Sequence, residues 1–257
     1  MRSTSARWVM AATATVMATA LSACGSDGGS GNGLADQSAQ QISDKSEKAF
    51  KEAKSVHMKM DGAAVGGQGG SGKIDLHLDR EGNCKGTISQ GEQGTVELVK
   101  QGDKVWMKPD AAFWRTQVPG KGGEAAAETF KGRYIYGSTS DQMLKGMAET
   151  CDLGQLQTEL TKDDDSDVKL KKGEETDVAG TSAIPLSGRK DGATQTVYVS
   201  TDGKPYPLKI TSEGGADSGN VTFEKYDEPV PSDTPSKNES IDVAKLQQEM
   251  GAGASSA

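Results

Sequence analysis

With a formal charge of −8 over 257 residues and a mean hydropathy of −0.61, the chain is too acidic to favour nucleic acid or anionic headgroups. Leu, Ile, Val and Phe make up only about 15 % of it, a share that in a charged chain points toward disorder unless the local pattern says otherwise. Two histidines and three cysteines leave little from which to build a hydrolytic or metal centre.

The N-terminus carries Arg2 and Arg7, then Trp8-Val9-Met10 and a weakly apolar run into Leu21-Ser22-Ala23-Cys24. A basic start, a short apolar stretch and small residues at its end are the pattern of an export signal over 1–23. The stretch from Trp8 to Ala23 is short of the ~20 strongly apolar residues of a spanning helix. Leu21-Ser22-Ala23-Cys24 resembles the bacterial lipobox. That resemblance implies cleavage before Cys24, diacylglycerol on its thiol and a lipid-modified mature N-terminus; the alternative is an ordinary signal with a chance cysteine. GSDGGSGNG follows, too polar and glycine-rich to pack, so 24–35 is expected to be a lipid-anchored flexible linker. Nine such residues reach roughly 15–18 Å. Losing two arginines and no acid moves the mature charge from −8 to −10, so acyl chains rather than surface charge would hold the protein at the membrane.

The folded part is expected over 36–250. In 36–53 the spacing of Ala39, Ile42, Ala49, Phe50 and Ala53 predicts an amphipathic helix. The period then changes to two: Val56, Met58 and Met60 alternate with His57, Lys59 and Asp61. After GGQGGSG, Ile74, Leu76 and Leu78 alternate with Asp75, His77 and Asp79. Further strands are read at 84–89, 95–100 and 104–108, joined by short turns that only antiparallel neighbours can use. Phe113-Trp114-Arg115 reads as a short continuing strand. A helix at 124–130, a capping box at Thr139–Gln142 before Met143, Leu144 and Met147, and a helix with Leu153, Leu156 and Leu160 fill the middle. Strands return near Val168 and Leu170, then at 181–186, 194–200, 206–211 and 221–226. A proline segment follows, then a short helix capped by Ser240 with Val243, Leu246 and Met250 on one side, and a frayed tail at 251–257. A sheet apolar on one face needs a cover, and the central and terminal helices are the candidates.

Cys84 and Cys151 remain once Cys24 is set aside, an even pair in an exported chain, and are expected to form a disulfide. Two free thiols or a metal pair would be the alternative, but neither a CxxC spacing nor a neighbouring histidine supports it.

Several strings suggest chemistry and fail on context. Gly67-Gln68-Gly69-Gly70-Ser71-Gly72 matches a dinucleotide loop, yet a strand rather than a helix follows it. Asp163, Asp165, Asp167 and Glu174 echo a calcium loop, but its sixth position, which needs glycine, is Val168. His57 and His77 fall on the polar faces of their strands and are expected to be solvated. No catalytic residue, metal site or cofactor is indicated.

The lipobox and helix-first meander, Phe113-Trp114-Arg115, Lys131-Gly132-Arg133-Tyr134 and the central helical insert precede a run from Tyr198 to Pro207, YVSTDGKPYP. The chain closes with Val221-Thr222-Phe223-Glu224-Lys225-Tyr226 and a proline segment. This set resembles actinobacterial lipoproteins related to the LppX/LprG lipid carriers and, more remotely, the LolA/LolB fold. The resemblance implies an α+β fold: a curved antiparallel half-barrel with helices over its concave apolar face and a cavity for acyl chains between them. Strand and helix alternation then nominates Met58, Met60, Leu76, Leu78, Val105, Met107, Met143 and Met147 as cavity lining, adaptable thioethers suiting a variable ligand or equally a plain core. The expected function is a non-catalytic, lipid-anchored protein on the outer face of the cell membrane that binds a lipid or other apolar molecule. The alternative is an envelope interaction module using the same scaffold without a cavity, its protein partner unspecified.

Overall fold

The computed structural model describes residues 31–63, 71–162, 168–190, 192–215 and 218–245. The chain divides into two units, Met1–Ser30 and Gly31–Ala257, and every described residue belongs to the second. The expected export signal, Cys24, most of the GGQGGSG loop, the acidic stretch 163–167, Leu246, Met250 and the tail 251–257 lie outside the described residues.

Packing begins ahead of the expected boundary at 36. The Asn32 backbone N–H donates to the Thr201 carbonyl at 2.8 Å, and its amide donates to the Ser200 and Gly203 carbonyls. Leu34 is only 2 % exposed, in a cluster with Ile42, Ile184, Leu186 and Val199. Helix α1 (Ala39–Glu52) then starts on a capping box, Ser38 Oγ accepting from the Gln41 N–H while Gln41 Oε1 accepts from the Ser38 N–H. That reciprocal pair satisfies two of the orphan donors at the helix start.

A five-strand meander follows: β1 (Ser55–Gly62), β2 (Gly72–Asp79), β3 (Cys84–Ser89), β4 (Thr95–Gln101) and β5 (Lys104–Pro109). Helices α2 (Ala111–Gln117) and α3 (Lys121–Thr129) lead to β6 (Tyr134–Ser138), a strand the sequence reading passed over. Helices α4 (Gln142–Glu149) and α5 (Leu153–Leu160) come next. Two short strands, β7 (Lys171–Lys172) and β8 (Thr176–Val178), open the second half. A second meander runs through β9 (Thr181–Lys190), β10 (Ala193–Ser200), β11 (Pro207–Glu213) and β12 (Gly219–Glu224), and the chain returns to add β13 (Ser240–Asp242).

All these strands form one open, curved sheet in the order β13-β6-β5-β4-β3-β2-β1-β12-β11-β10-β9-β7, with β8 also on β9. Pairing is antiparallel except between β13 and β6. The fold is therefore α+β, with helices on the inner face, where Phe50, Trp114, Ala127, Leu144 and Leu153 join strand residues in the main core.

Two local expectations are corrected. Phe113-Trp114-Arg115 is helical, because Asp110 caps it: its carboxylate accepts from the N–H groups of both Phe113 and Thr95. Ser240 begins a strand rather than capping a helix, and Asp242 Oδ1 accepts from Ala244 and Lys245 in its stead. The central helices do cover the sheet, and α1 shares that role through Ile42 and Phe50.

The Cys84–Cys151 disulfide is formed, with Cα atoms 5.4 Å apart, and ties the α4–α5 turn to the start of β3. Curvature is permitted by Gly86, where a Cβ would lie inside the carbonyl of Asp75 on β2. Gly86→Ala is expected to cost on the order of 3 kcal/mol, read as a lowered urea midpoint, because the paired strand would have to move.

Candidate functional site

Strand register sorts the inner face into cross-strand rows. The central row runs Ile135, Met107, Leu98, Gly86, Leu76, Met58, Phe223 from β6 to β12. All its side chains are buried, so this row is filled by packing against the helices. A neighbouring row, Val96, Ile88, Ile74, Met60, Val221, Ile210, Val197, Leu186, crosses from β4 to β9. Its two ends are buried, but the six residues between them stay partly exposed. The helix layer therefore leaves an apolar strip of the inner face incompletely covered.

That strip leads into a cavity of about 330 Å³ between α1, the end of α5 and strands β9–β12. Leu186, Val197, Val199 and Ile210 form its sheet wall, and Leu160 and Leu170 contribute from the side. Gln40, Asp44 and Glu47 on α1 face it as a polar wall. Phe50 and Phe223 stand where the cavity meets the filled core, ring centroids 5.3 Å apart. The space is amphipathic, greasy toward the sheet and hydrogen-bonding toward α1. Its volume lies at the small end of the range for ligand sites.

The eight nominated residues are distributed unevenly around this geometry. Met58, Leu76 and Met107 lie in the filled row, and Leu78 and Val105 are buried beside it. Met60 lies on the partly exposed strip, in register with Ile74 and Val221. Met147 packs against the core from α4, whereas Met143, expected to face inward, is 48 % exposed. Residues around the cavity that were not nominated, Leu186, Val197, Val199, Ile210 and Phe223, carry the same two-residue alternation in the second meander. The signal was present there; alternation marks the inner face but does not show where helices leave it bare.

His57 departs from expectation too. It lies on the outer, polar face, yet it is 6 % exposed, with its ring stacked on His77 and the Glu228 carbonyl fixed on the neighbouring Ser55. His77 is partly exposed beside it. Among the described residues no group of three or more His, Cys, Asp or Glu side chains is arranged to hold a metal. No helix among them is long and apolar enough to cross a membrane.

An open, curved α+β half-barrel whose helices cover its inner face, with a cavity left between the two layers, is the class this chain defines. No family model matches the chain, and no curated protein does. Among solved structures it is similar to the lipoprotein LppX of Mycobacterium tuberculosis, at 18 % identity and a TM-score of 0.45, covering 76 % of this chain and 98 % of that one. It is similar to LprF of Mycobacterium bovis at 14 % identity and a TM-score of 0.47, covering 77 % and 97 %. The MucA/MucB complex of Pseudomonas aeruginosa follows at 12 % identity, a TM-score of 0.33, and 78 % and 59 % coverage. LppX is one of the proteins named in the resemblance read from the sequence.

Proposed function

We propose that this protein is a lipid-anchored, extracytoplasmic lipoprotein that binds one acyl chain or a similarly slender apolar group between sheet and helices, without catalysing a reaction. The observation that carries this reading is the cavity of about 330 Å³ and its continuation along the strip from Val197 to Ile88. A strip of this kind gives a chain longer than the cavity somewhere to lie, with Met60 adapting beneath it. The polar wall of α1 suits a ligand with a hydrogen-bonding end. The anchor rests on the lipobox resemblance of Leu21–Cys24 and would tether the chain to the membrane from which such a ligand would come.

The test uses the full chain, purified from the cell envelope in detergent and mixed with a fluorescent long-chain fatty acid. Wild type is expected to bind the probe saturably. Val197→Trp, which fills the cavity from its sheet wall, is expected to weaken binding about tenfold or more while leaving the unfolding midpoint nearly unchanged, since Val197 is only partly buried. If the purified protein carries no lipid by native mass spectrometry, and neither wild type nor variant takes the probe, the reading falls.

The filled central row favours a second reading, an interaction module in which the half-barrel is a solid scaffold. That reading expects no probe binding and a partner recovered by cross-linking on intact cells.

A further inference from the structure

The outer face carries its own cross-strand row, and it is unusual in composition. Glu224 on β12, His57 on β1, His77 on β2, Lys85 on β3, Val99 on β4, Trp106 on β5, Tyr136 on β6 and Asp242 on β13 stand in register. The two imidazoles are stacked face to face, centroids 3.7 Å apart and planes 11° apart. His57 Nε2 donates to Asp75 Oδ1 at 2.6 Å, while its buried Nδ1 has no hydrogen-bond partner among the described residues.

The chain that returns from β12 to β13 crosses this row. Its first fixed points are Tyr226, which stacks on Tyr206 and donates its hydroxyl to the Pro207 carbonyl, and Asp227, whose carboxylate accepts from the Lys54 N–H, Lys204 Nζ and Tyr206 Oη. Next, the Glu228 carbonyl accepts from Ser55 Oγ at 2.5 Å. Farther on, the Ser232 carbonyl accepts from Gln101, and Asp233 pairs with Lys85. Between these points lie Pro229, Val230 and Pro231, which pass the β1–β2 end of the row where Ser55 and His57 are buried. Two of those three residues have no N–H to offer, so the span is held by its fixed points at Ser55, Gln101 and Lys85, of which Ser55 shares a strand face with His57 and Lys85 stands opposite His77. At its far end the segment supplies β13 to the edge of β6 and buries Val243 in the main core.

We propose that the stacked His57–His77 pair is an acid-sensitive clasp: when both imidazoles carry protons the stack parts, segment 228–239 lifts from the outer face, and β13 leaves β6. Two protonated rings held face to face at 3.7 Å repel strongly. The surrounding charges act in both directions, Asp75 and Glu224 favouring a proton on His77 and Lys225 opposing it. Lys59 is paired with Glu224, Lys85 with Asp233 and Asp227 with Lys204, while Lys225 adds a further positive charge and Glu228 a negative one. Burial, the neighbouring His57 and Lys225 hold His77 below the ordinary histidine range. A histidine held low in the closed form makes that form fully stable above the ordinary value and progressively less so as pH falls through the lowered one. The inference does not depend on whether the inner cavity takes a ligand.

The experiment is hydrogen exchange by mass spectrometry on the full chain in detergent, at about pH 7.5 and pH 5, corrected for the intrinsic rate. Peptides covering 226–242 are expected to lose protection about tenfold or more at the lower pH, while β9–β11 stays unchanged. In His77→Phe, which keeps a stacked ring that cannot take a proton, that response should vanish. Unchanged protection of 226–242 in wild type, or an equal loss in the variant, would overturn the proposal. Should the variant not fold, an NMR titration of wild type decides: the His77 ring and the Val230 and Ile241 amides must shift in one transition. A His77 titration that leaves those amides in place refutes the clasp.

Discussion

Replacing Cys84 and Cys151 together by alanine is expected to lower the free energy of unfolding by about 4 kcal/mol, the chain-entropy value for a crosslink spanning 67 residues. Because 1 kcal/mol corresponds to about 2–4 °C for a domain of this size, the midpoint should fall by roughly 8–16 °C. The effect should be large here because large aliphatic residues are scarce and the crosslink joins the helix layer to the sheet. It should also be uneven. Helix α5 has a second attachment, since Gln157 donates to the Phe50 and Ala53 carbonyls at the end of α1. Helix α4 buries Leu144, with Met147 and Ala148 partly buried beside it, and among the described residues it shows no such side-chain tie to α1. Amide protection should therefore drop most in α4. Urea unfolding of the double variant checks the magnitude, and a loss below about 1 kcal/mol would show that the unfolded chain gains little freedom when the bridge is removed.

Phe223→Ala is expected to cost about 3–5 kcal/mol, the usual range for emptying a buried aromatic site. Phe223 is almost fully enclosed; it pairs with Met58 across the seam between β1 and β12 and packs on Phe50. It also borders the cavity, so its ring is the partition between vacant and filled space. Removing it should extend the cavity toward Met58. On the ligand-binding reading, the variant should then prefer longer acyl probes than wild type, even though it is less stable. Urea unfolding measures the first effect and binding across a series of fatty-acid chain lengths the second. Stability within 1 kcal/mol of wild type would mean that the surrounding side chains collapse into the gap.

Much of the sheet could be read from alternation alone. β3 has the expected ends, and β4, β5, β10 and β11 differ from expectation by at most two residues at either end, because polar and apolar side chains change face at every step. The misreadings arise where distant groups decide. Phe113-Trp114-Arg115 has the β-prone composition of a strand but is turned into helix by a carboxylate that also binds β4. β6 and β13 are short and gain their pairing from strands far away in sequence. Alternation puts His57 on the correct face but does not show its environment, since its stacking partner lies on the next strand and the residues fixed on neighbouring Ser55 and on Lys85 come from the far end of the chain. The cavity follows the same logic. Which residues point inward is local information, whereas which of them the helices fail to cover depends on how the helices share one sheet.

The seam between β1 and β12 has a further consequence, which concerns the order of assembly. Strands β1–β5 and β9–β12 are each meanders whose pairings close over short loops, but Met58 meets Phe223 only after nearly the whole chain is available. Closing so long a loop is slow, since its entropy is lost before the contact forms. The two halves should therefore acquire structure separately and zip together late, with β13 added last at the rim. Until that moment the edges of β1 and β12 are unpaired, and the newly made chain passes through a stage in which its greatest exposure to misassembly lies at what becomes the middle of its sheet.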